Sequence, residues 1–444
     1  MTHELKTKTM KYLIALLSLT ILVQKTSVAQ ESMTVEDAIA LAMKHNYDIR
    51  LATNATLQAE NNKSIYNSGF LPSATAAADG RYSSSNATIT DQLGNEREIP
   101  GVETKGYGGS VGINYILFNG GARKYQYDKL KNLYSLSSLQ KKTQIENTLI
   151  EVYTTFYNVA RNQEQLKTVK EAFQISKERL ERVTAQQQFG QKTTLDILNA
   201  RVDANKDSIN LINVSVLVEN NVRNLNFLLG REIHTSFLAE ADVNLTEELS
   251  YLELLSQLRE NNNELQQWEI NQSISRQELK INQAGWLPSV STNVSYGFNY
   301  SDNGPAGFLA EQQTTGINAG INLNWNVFDG GTTRVRVQNA KISMKTQELN
   351  QQKIQLSLEN QLAKFWAEYT TQKAIIRNEE INVEISNQNF LKSKELFNLG
   401  RITSIDFRQA QLNLINTKLN LLNATYNAKV AELQLKKFAG LLNN

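Results

Sequence analysis

Four short motifs occur twice, in the same order, in the two halves of this chain, and that duplication limits its fold more than any single motif does. GFLPS at Gly69 to Ser73 returns as GWLPS at Gly285 to Ser289, and the LFNGG ending at Gly121 returns as the VFDGG ending at Gly331. FGQKTTLD, Phe189 to Asp196, returns as LGRITSID, Leu399 to Asp406, and Gly230 of LLGRE returns as Gly440. The last three pairs are 210 residues apart and the first is 216 apart, so the whole length difference lies between Pro72 and Phe118. A loop is expected to vary there. About 415 residues after a leader would ordinarily mean two or three globular domains; the constant spacing argues instead for one elongated, duplicated unit. The expected division is a leader at 1–29, a first repeat at 30–231, a polar linker at 232–248 and a second repeat at 249–444.

The leader is read from Lys6, Lys8 and Lys11, which precede a mostly apolar run from Tyr12 to Val23, and from the small residues Ser27 and Ala29 before a cleavage site. That run is too short for a membrane-spanning helix, and no other stretch approaches the roughly 18 to 20 apolar residues that spanning needs. Without the leader's four lysines and one glutamate, 42 basic side chains stand against 43 acidic ones, a balance that gives no footprint for nucleic acid. The chain has no cysteine, which excludes disulfides, lipidation at a leader cysteine and thiolate metal sites.

Within each half the period of the apolar residues changes twice. Thr34, with Asp37 three residues on, can cap a helix reaching to about Tyr66, with a break near Asn46. After Pro72 the pattern is extended, and after Gly121 it is helical again. Ile145, Val152, Val159, Leu166, Phe173 and Leu180 step by seven, and so do Leu362, Tyr369, Ile376, Val383, Phe390 and Phe397. A heptad held this long implies left-handed supercoiling against neighbouring helices. Gly190 and Gly400 suit the left-handed position that ends a helix, and Thr193 and Thr403 can cap the next one. New series then begin at Leu195, Val202, Ile209, Val216 and at Ile405, Leu412, Leu419, Tyr426. At 1.5 Å per residue, the helix over about 122 to 189 is on the order of 100 Å long, and those over 34–70 and 191–230 about 55 to 60 Å each. Two short helices end to end match one long helix, which puts the N-terminus and the linker halfway along a helical cylinder.

Strict alternation marks the strands. Val290, Thr292, Val294, Tyr296, Phe298 and Tyr300 alternate with small polar residues, as do Ile317, Ala319, Ile321, Leu323, Trp325 and Val327. Tyr107, Val111, Ile113, Tyr115 and Leu117 form a similar first-half copy, while Ala74 to Tyr82 is weak. One apolar and one wet face fit a soluble sheet or a membrane barrel. Strands of about 9 to 11 residues, aromatics near their ends and long polar connections at 84–105 and 301–315 favour the barrel. Pro72 and Pro288 mark helix-to-strand junctions, and Pro100 and Pro305 are expected in the loops. Four strands cannot close a barrel, and an open edge in hydrocarbon leaves backbone groups unpaired at several kcal/mol each. Two copies give eight strands around a filled interior; three give twelve, which leave room for a lumen.

The junctions GFLPS and GWLPS, the turns LFNGG and VFDGG, and the patterns GQKTTLDILNAR and GRITSIDFRQAQ together make the chain resemble the TolC-type outer-membrane efflux channel family over nearly its whole length. The resemblance implies an α+β membrane protein. Each chain would give four strands to a trimeric, 12-stranded transmembrane β-barrel that continues as a long coiled-coil α-helical periplasmic barrel. It also implies a homotrimer in the outer membrane that works with a periplasmic adaptor (a membrane fusion protein) and an inner-membrane pump, as a passive conduit for efflux or type I secretion.

On that architecture the turns at Gly190, Lys192 and Thr193 and at Gly400, Arg401, Ile402 and Thr403 are the tips farthest from the barrel, and the candidate docking points for the adaptor. Asp196 and Asp406, one turn further on, are candidates for the periplasmic gate, since threefold symmetry would make rings of carboxylates that favour cations. The same two acids also match capping-box spacing with Thr193 and Thr403. Related family members often carry a second acid three residues after the position of Asp406; here it is Gln409. No catalytic, cofactor or metal site is expected, because outside the leader the histidines are His45 and His234, and the double glycines lack the lysine and spacing of a phosphate loop. The competing reading is a periplasmic coiled-coil adaptor or scaffold, which explains the heptads but not the two hairpins.

Overall fold

A computed structural model describes residues 31–90, 92–246, 249–303 and 309–442. The leader read at 1–29 and Pro305 lie outside the described residues. Two compact units share the chain, the first drawn from Met1–Tyr47, Asn147–Leu249 and Lys364–Leu435, the second from Asp48–Glu146, Ser250–Ala363 and Lys436–Asn444.

The duplication is visible element by element. In the first half, β1 (Glu31–Met33), α1 (Val35–His45) and α2 (Tyr47–Asn62) lead to the hairpin β2 (Ser73–Thr90) and β3 (Glu96–Asn119), then α3 (Ala122–Gln188) and α4 (Thr194–Leu228). In the second, β4 (Phe237–Ala239), α5 (Tyr251–Asn261) and α6 (Asn263–Gln283) lead to β5 (Ser289–Asp302) and β6 (Glu311–Asn324), then α7 (Thr332–Asn398) and α8 (Ser404–Phe438). The matched helices α3 and α7 have 67 residues each, and α4 and α8 have 35 each.

In the first unit, Thr34 caps α1 by accepting from the Asp37 N–H at 3.2 Å, and Asp37 returns the bond to the Thr34 N–H at 3.1 Å. β1 pairs in parallel with β4, so a segment near the N-terminus and the expected linker meet. That linker is anchored rather than loose. Phe237 is buried, and Glu432, also buried, accepts from the Thr246 N–H at 3.1 Å and hydroxyl at 2.8 Å. A buried carboxylate held this way trades hydration for charge-assisted hydrogen bonds. The heptad residues Val152, Val159, Tyr369, Phe390 and Phe397 of this unit are buried, as supercoiled packing requires, and so is Leu362 of the second unit.

In the second unit the sheet runs β2-β3-β5-β6, all neighbours antiparallel. Several sequence expectations change here. The helix expected over 34–70 breaks at Asn46 as expected but ends at Asn62, followed by a short 3₁₀ turn, Ile65–Asn67. The weak segment 74–82 is part of a strand of 18 residues, and most of the expected loop 84–105 is strand, since β2 and β3 reach far beyond β5 and β6. Pro100 therefore lies within β3, at the register shift between Ser85 and Ala87, where the missing N–H breaks no regular ladder. Beside it Gly101 has φ +67 and donates its N–H to Asn86 Oδ1 at 2.9 Å. A second bulge falls between Ile116 and Phe118, so Phe118 rather than Leu117 continues the apolar row. β6 ends at Asn324, leaving Trp325 and Val327 outside it.

Each repeat closes its last helix the same way. Asn46 Nδ2 donates to the Leu228 carbonyl at 2.8 Å, and Asn262 Nδ2 to that of Phe438 at 3.2 Å. Gly230 and Gly440 follow with φ +66 and +70; a Cβ on Gly230 would lie 2.7 Å from the His45 carbonyl oxygen, and one on Gly440 2.9 Å from the Asn261 Cβ. Only glycine tolerates both the dihedral and the approach. Gly230→Ala is expected to destabilise the protein by about 2 kcal/mol. Gly190→Ala, at φ +70 but with open space around the position, should cost about 1 kcal/mol; thermal denaturation of both variants checks the order.

Candidate functional site

The sheet has two unlike faces, and its register shows that each is continuous across all four strands. Ala74 pairs Ile113, which pairs Val294, which pairs Ala319; the next row is Ala76, Val111, Tyr296 and Ile317. On the other side lie Thr75, Gly112, Ser295 and Asn318, then Ala77, Ser110, Gly297 and Gly316. The apolar side chains are not covered: Ile317 is 73% exposed and Ile321 74%. A contiguous apolar face left open on this scale marks contact with a partner or with lipid. Tyr107 packs on Tyr300 at 4.9 Å between centroids at one end of the rows. At the other end the Trp325 indole donates to the Trp286 carbonyl at 3.2 Å. Aromatics at both ends of an apolar band are the pattern of a membrane interface. No helix among the described residues is long and apolar enough to cross a membrane.

The helical turns sit in the first unit. Gly190 and Gly400 have φ +70 and +69, and each lets its helix end in the left-handed conformation. Thr193 Oγ1 accepts from the Asp196 N–H at 3.2 Å while Asp196 Oδ2 accepts from the Thr193 N–H at 2.9 Å. The Thr403 and Asp406 pair does the same at 3.1 Å both ways. Both acids are thus committed to capping. Backbone and side-chain bonds from Thr193 hold the Asp196 carboxyl below the usual carboxylate range; the side-chain bond from Thr403, then its backbone bond, does so for Asp406. With the folded values lowered, the caps contribute fully at neutral pH and are lost as pH falls through those lowered values.

Of the other predicted residues, Arg401 is exposed and Lys192 half-buried. Ile402 is half-buried and packs against the cluster of Val183, Phe390, Phe397, Phe407 and Leu414, so much of its surface serves the core. Gln409 is exposed and donates to Asn413 Oδ1 at 2.8 Å.

Sequence reasoning passed over the strongest polar contacts of this region. Arg408, almost fully buried, makes two bonds of 2.7 Å to the two Asp207 oxygens and a third of 3.0 Å to Ser176 Oγ. Arg179, with a side chain 2% exposed, bonds Asp203 Oδ2 at 2.6 Å and the Ser404 carbonyl at 3.1 Å. These pairs join α3 and α4 to α8. Asp203 and Asp207, four apart on one helix, were a visible signal, but their partners are 24 and 201 residues away. Among the described residues no group of three His, Asp or Glu side chains is placed to hold a metal ion.

A family model described as outer membrane efflux protein matches residues 38–231 and 254–441. The outer membrane protein TolC of Vibrio cholerae is 23% identical over 308 residues, 67% of this chain and 68% of that protein. Its namesake in Escherichia coli is 22% identical over 318 residues; the match covers 68% of this chain but 63%, less than two thirds, of that protein. The crystal structure of the Campylobacter jejuni CmeC outer membrane channel superposes with a TM-score of 0.78 at 18% identity, covering 92% of this chain and 86% of that one, which shows a shared fold.

Asp207→Ala is expected to destabilise the protein by about 3 kcal/mol, because it strands a buried guanidinium. The double variant Asp207→Leu with Arg408→Met should recover most of that loss; equal melting temperatures for the single variant and the unaltered protein would show that the pair is not desolvated.

Proposed function

Because the chain belongs to the outer membrane efflux protein family, we propose that three copies of it close a 12-stranded barrel in the outer membrane. The barrel opens into a coiled-coil α-helical periplasmic tunnel. The family places the protein in the outer membrane, with its helical part in the periplasm, as a passive channel and not an enzyme. The finer reading is a conduit of a tripartite efflux or type I secretion system, docked by a periplasmic adaptor and fed by an inner-membrane pump.

The observation that carries this reading is the sheet with two exposed faces and two open edges. Its apolar rows fit lipid, and its Ser, Asn, Thr and Gly rows fit a water-filled lumen. Twelve strands leave such a lumen, whereas eight fill it with side chains. The helices ask for further copies too. Leu195, Val202, Ile209 and Val216 on α4, and Val335, Ile342, Leu349 and Leu356 on α7, step by seven and are all exposed in the single chain. A heptad seam without a partner implies one.

The two structural repeats, 30–231 and 249–444, then supply equivalent hairpins on either side of the linker at 232–248. The adaptor would meet the turns at Gly190 to Thr193 and Gly400 to Thr403, with the exposed Arg401 and the half-buried Lys192 as the charged side chains offered to it. Asp196 and Asp406 would stand as acidic rings at the periplasmic opening while still capping their helices, and Gln409 would hold the neighbouring position uncharged.

Cysteines placed at Ser295 or Asn322 should react with water-soluble reagents in the pore, and those at Val294 or Ile321 with reagents dissolved in lipid; the reverse pattern would invert the barrel and sink this reading. In planar bilayers, Asp196→Asn and Asp406→Asn should each weaken cation selectivity. If selectivity persists in both and only thermal stability drops, the two residues are caps alone.

A further inference from the structure

Charge is laid out in zones along the second unit. In the apolar band of the sheet, 74–78, 106–118, 290–298 and 315–324, no residue is charged. Beyond it, the strand ends at 79–90, 96–105, 299–302 and 311–314 hold three basic side chains against six acidic ones. On the helical side, the segments 60–72, 119–131, 276–289 and 325–341 hold ten basic against four acidic, and the next turns, 48–59, 132–146, 263–275 and 342–356, hold five of each. The positive excess is therefore confined to a belt where strands give way to helices, and all of that belt lies in the one unit.

Its four acids are already committed. Glu60 pairs with Lys63 at 3.2 Å, Asp128 with Lys131 at 2.8 Å and Glu278 with Lys129, while Asp329 accepts from the Thr333 N–H at 2.8 Å. Lys124, Arg334 and Lys341 are exposed and belong to no ion pair among the described residues. Lys124 and Arg334 are 210 residues apart, as are Lys131 and Lys341, so the duplication sets cations at equivalent positions of both repeats.

A column of rings shows which way the belt faces. Tyr115 lies on the apolar side of the sheet, one row beyond Ile113 and Val294. The Arg123 guanidinium stands 5.5 Å from its ring and 5.2 Å from that of Phe70, and Nη2 donates to the Leu117 carbonyl at 3.0 Å. Phe70 meets Tyr127 edge-on at 6.1 Å, and the Lys131 ammonium lies 4.7 Å from the Tyr127 ring. Rings attract cations held this close, so the stack carries positive charge from the apolar side of the sheet onto α3. Lys124, seven residues before Lys131, shares its helix face. Arg334 and Lys341 repeat the arrangement on α7.

We propose that this belt binds the phosphate groups of anionic glycerophospholipids in the leaflet on the helical side. The proposal rests on the outer-membrane reading of the sheet and not on the number of copies. From Arg123 to Lys131 the belt is about 12 Å deep, against a headgroup layer of about 5 to 8 Å on each side of the hydrocarbon. Lys and Arg bridge that difference by laying their stems on apolar surface and reaching toward the phosphates. Trp286 and Trp325, the counterparts of Phe70 and Tyr115, are about half exposed at the same edge of the band. A zwitterionic headgroup brings its own ammonium to these cations and is held less well, and the acidic strand ends offer anionic lipid no equivalent site.

Trp268→Phe with Trp366→Phe leaves Trp286 and Trp325 as the remaining tryptophans, and their emission reports the lipid beside the belt. The full chain is reconstituted in vesicles mixing phosphatidylglycerol and phosphatidylcholine, with bromine on the acyl chains of one lipid or the other. Brominated phosphatidylglycerol is expected to quench beyond its share of the mixture, with a preference of at least about fivefold, the effect of a single cation near an anionic surface. That preference should fall as salt rises. Adding Lys124→Gln, Arg334→Gln and Lys341→Gln should bring it close to one, while quenching in pure brominated phosphatidylcholine stays unchanged and reports that the sheet is inserted. Equal quenching by the two lipids before the glutamine substitutions, or a preference that survives them, overturns the proposal and leaves the membrane reading standing. Quenching by neither lipid overturns the membrane reading and this proposal with it.

Discussion

Each edge of a β-sheet presents a row of N–H and C=O groups, and in hydrocarbon nothing but another strand can satisfy them. The organisation of this protein follows from that requirement. Four strands with an uncovered apolar face have two such edges, and no further strand among the described residues is long enough to cover them. On the proposed trimeric reading, closure comes from other copies. The sequence need encode only one hairpin twice, provided that both hairpins share a register and that the edges of neighbouring copies repeat the contact already made inside the chain.

Duplication also explains where the two halves are free to differ. Ser176 and Asp207 in the first repeat correspond to Ser386 and Thr417 in the second, where the two hydroxyls lie 2.8 Å apart and no charge is buried. Arg408 corresponds to Leu198, which is exposed. The ionic link from α8 to the first helical pair is therefore made once per chain, from the second repeat to the first. A buried pair of this kind adds little net stability over a well-packed apolar one but is costly to mispair, so its effect is to specify which helices lie together.

The helical parts solve a different problem, that of ending long helices cleanly. Each helix terminus leaves four backbone groups without an internal partner. Here they are met by Thr and Asp boxes at the starts of α1, α4 and α8, by glycines at the ends of α3, α4, α7 and α8, and by the amides of Asn46 and Asn262. The residues proposed for the gate, Asp196 and Asp406, are among these caps. A carboxylate that accepts hydrogen bonds from its own helix start stays ionised and positioned, so capping and a charged ring are compatible uses of one side chain.

By itself the sequence determined whatever depends on short range or on repetition. The 210-residue spacing, the heptads from Val152 onward, the boxes at Thr193 and Thr403, and the alternation from Val290 to Tyr300 follow from local periodicity, and the structure holds each of them. It did not reveal the length of β2, because Ser, Ala and Thr give no alternation when both faces of a hairpin stand clear of the rest of the sheet. Nor did it place Pro100, which belongs to a strand only because a bulge removes the need for its N–H. Ile402 looked available to a partner and is half-buried against a cluster that joins Phe397 and Phe407, from the helices on either side of its turn, to Val183 of α3. Arg408 with Asp207, and Glu432 with Thr246, were illegible because the partners are 201 and 186 residues apart. A charge so placed is decided by which helices pack together, and that choice is made by the summed burial of whole faces rather than by the spacing of any few residues.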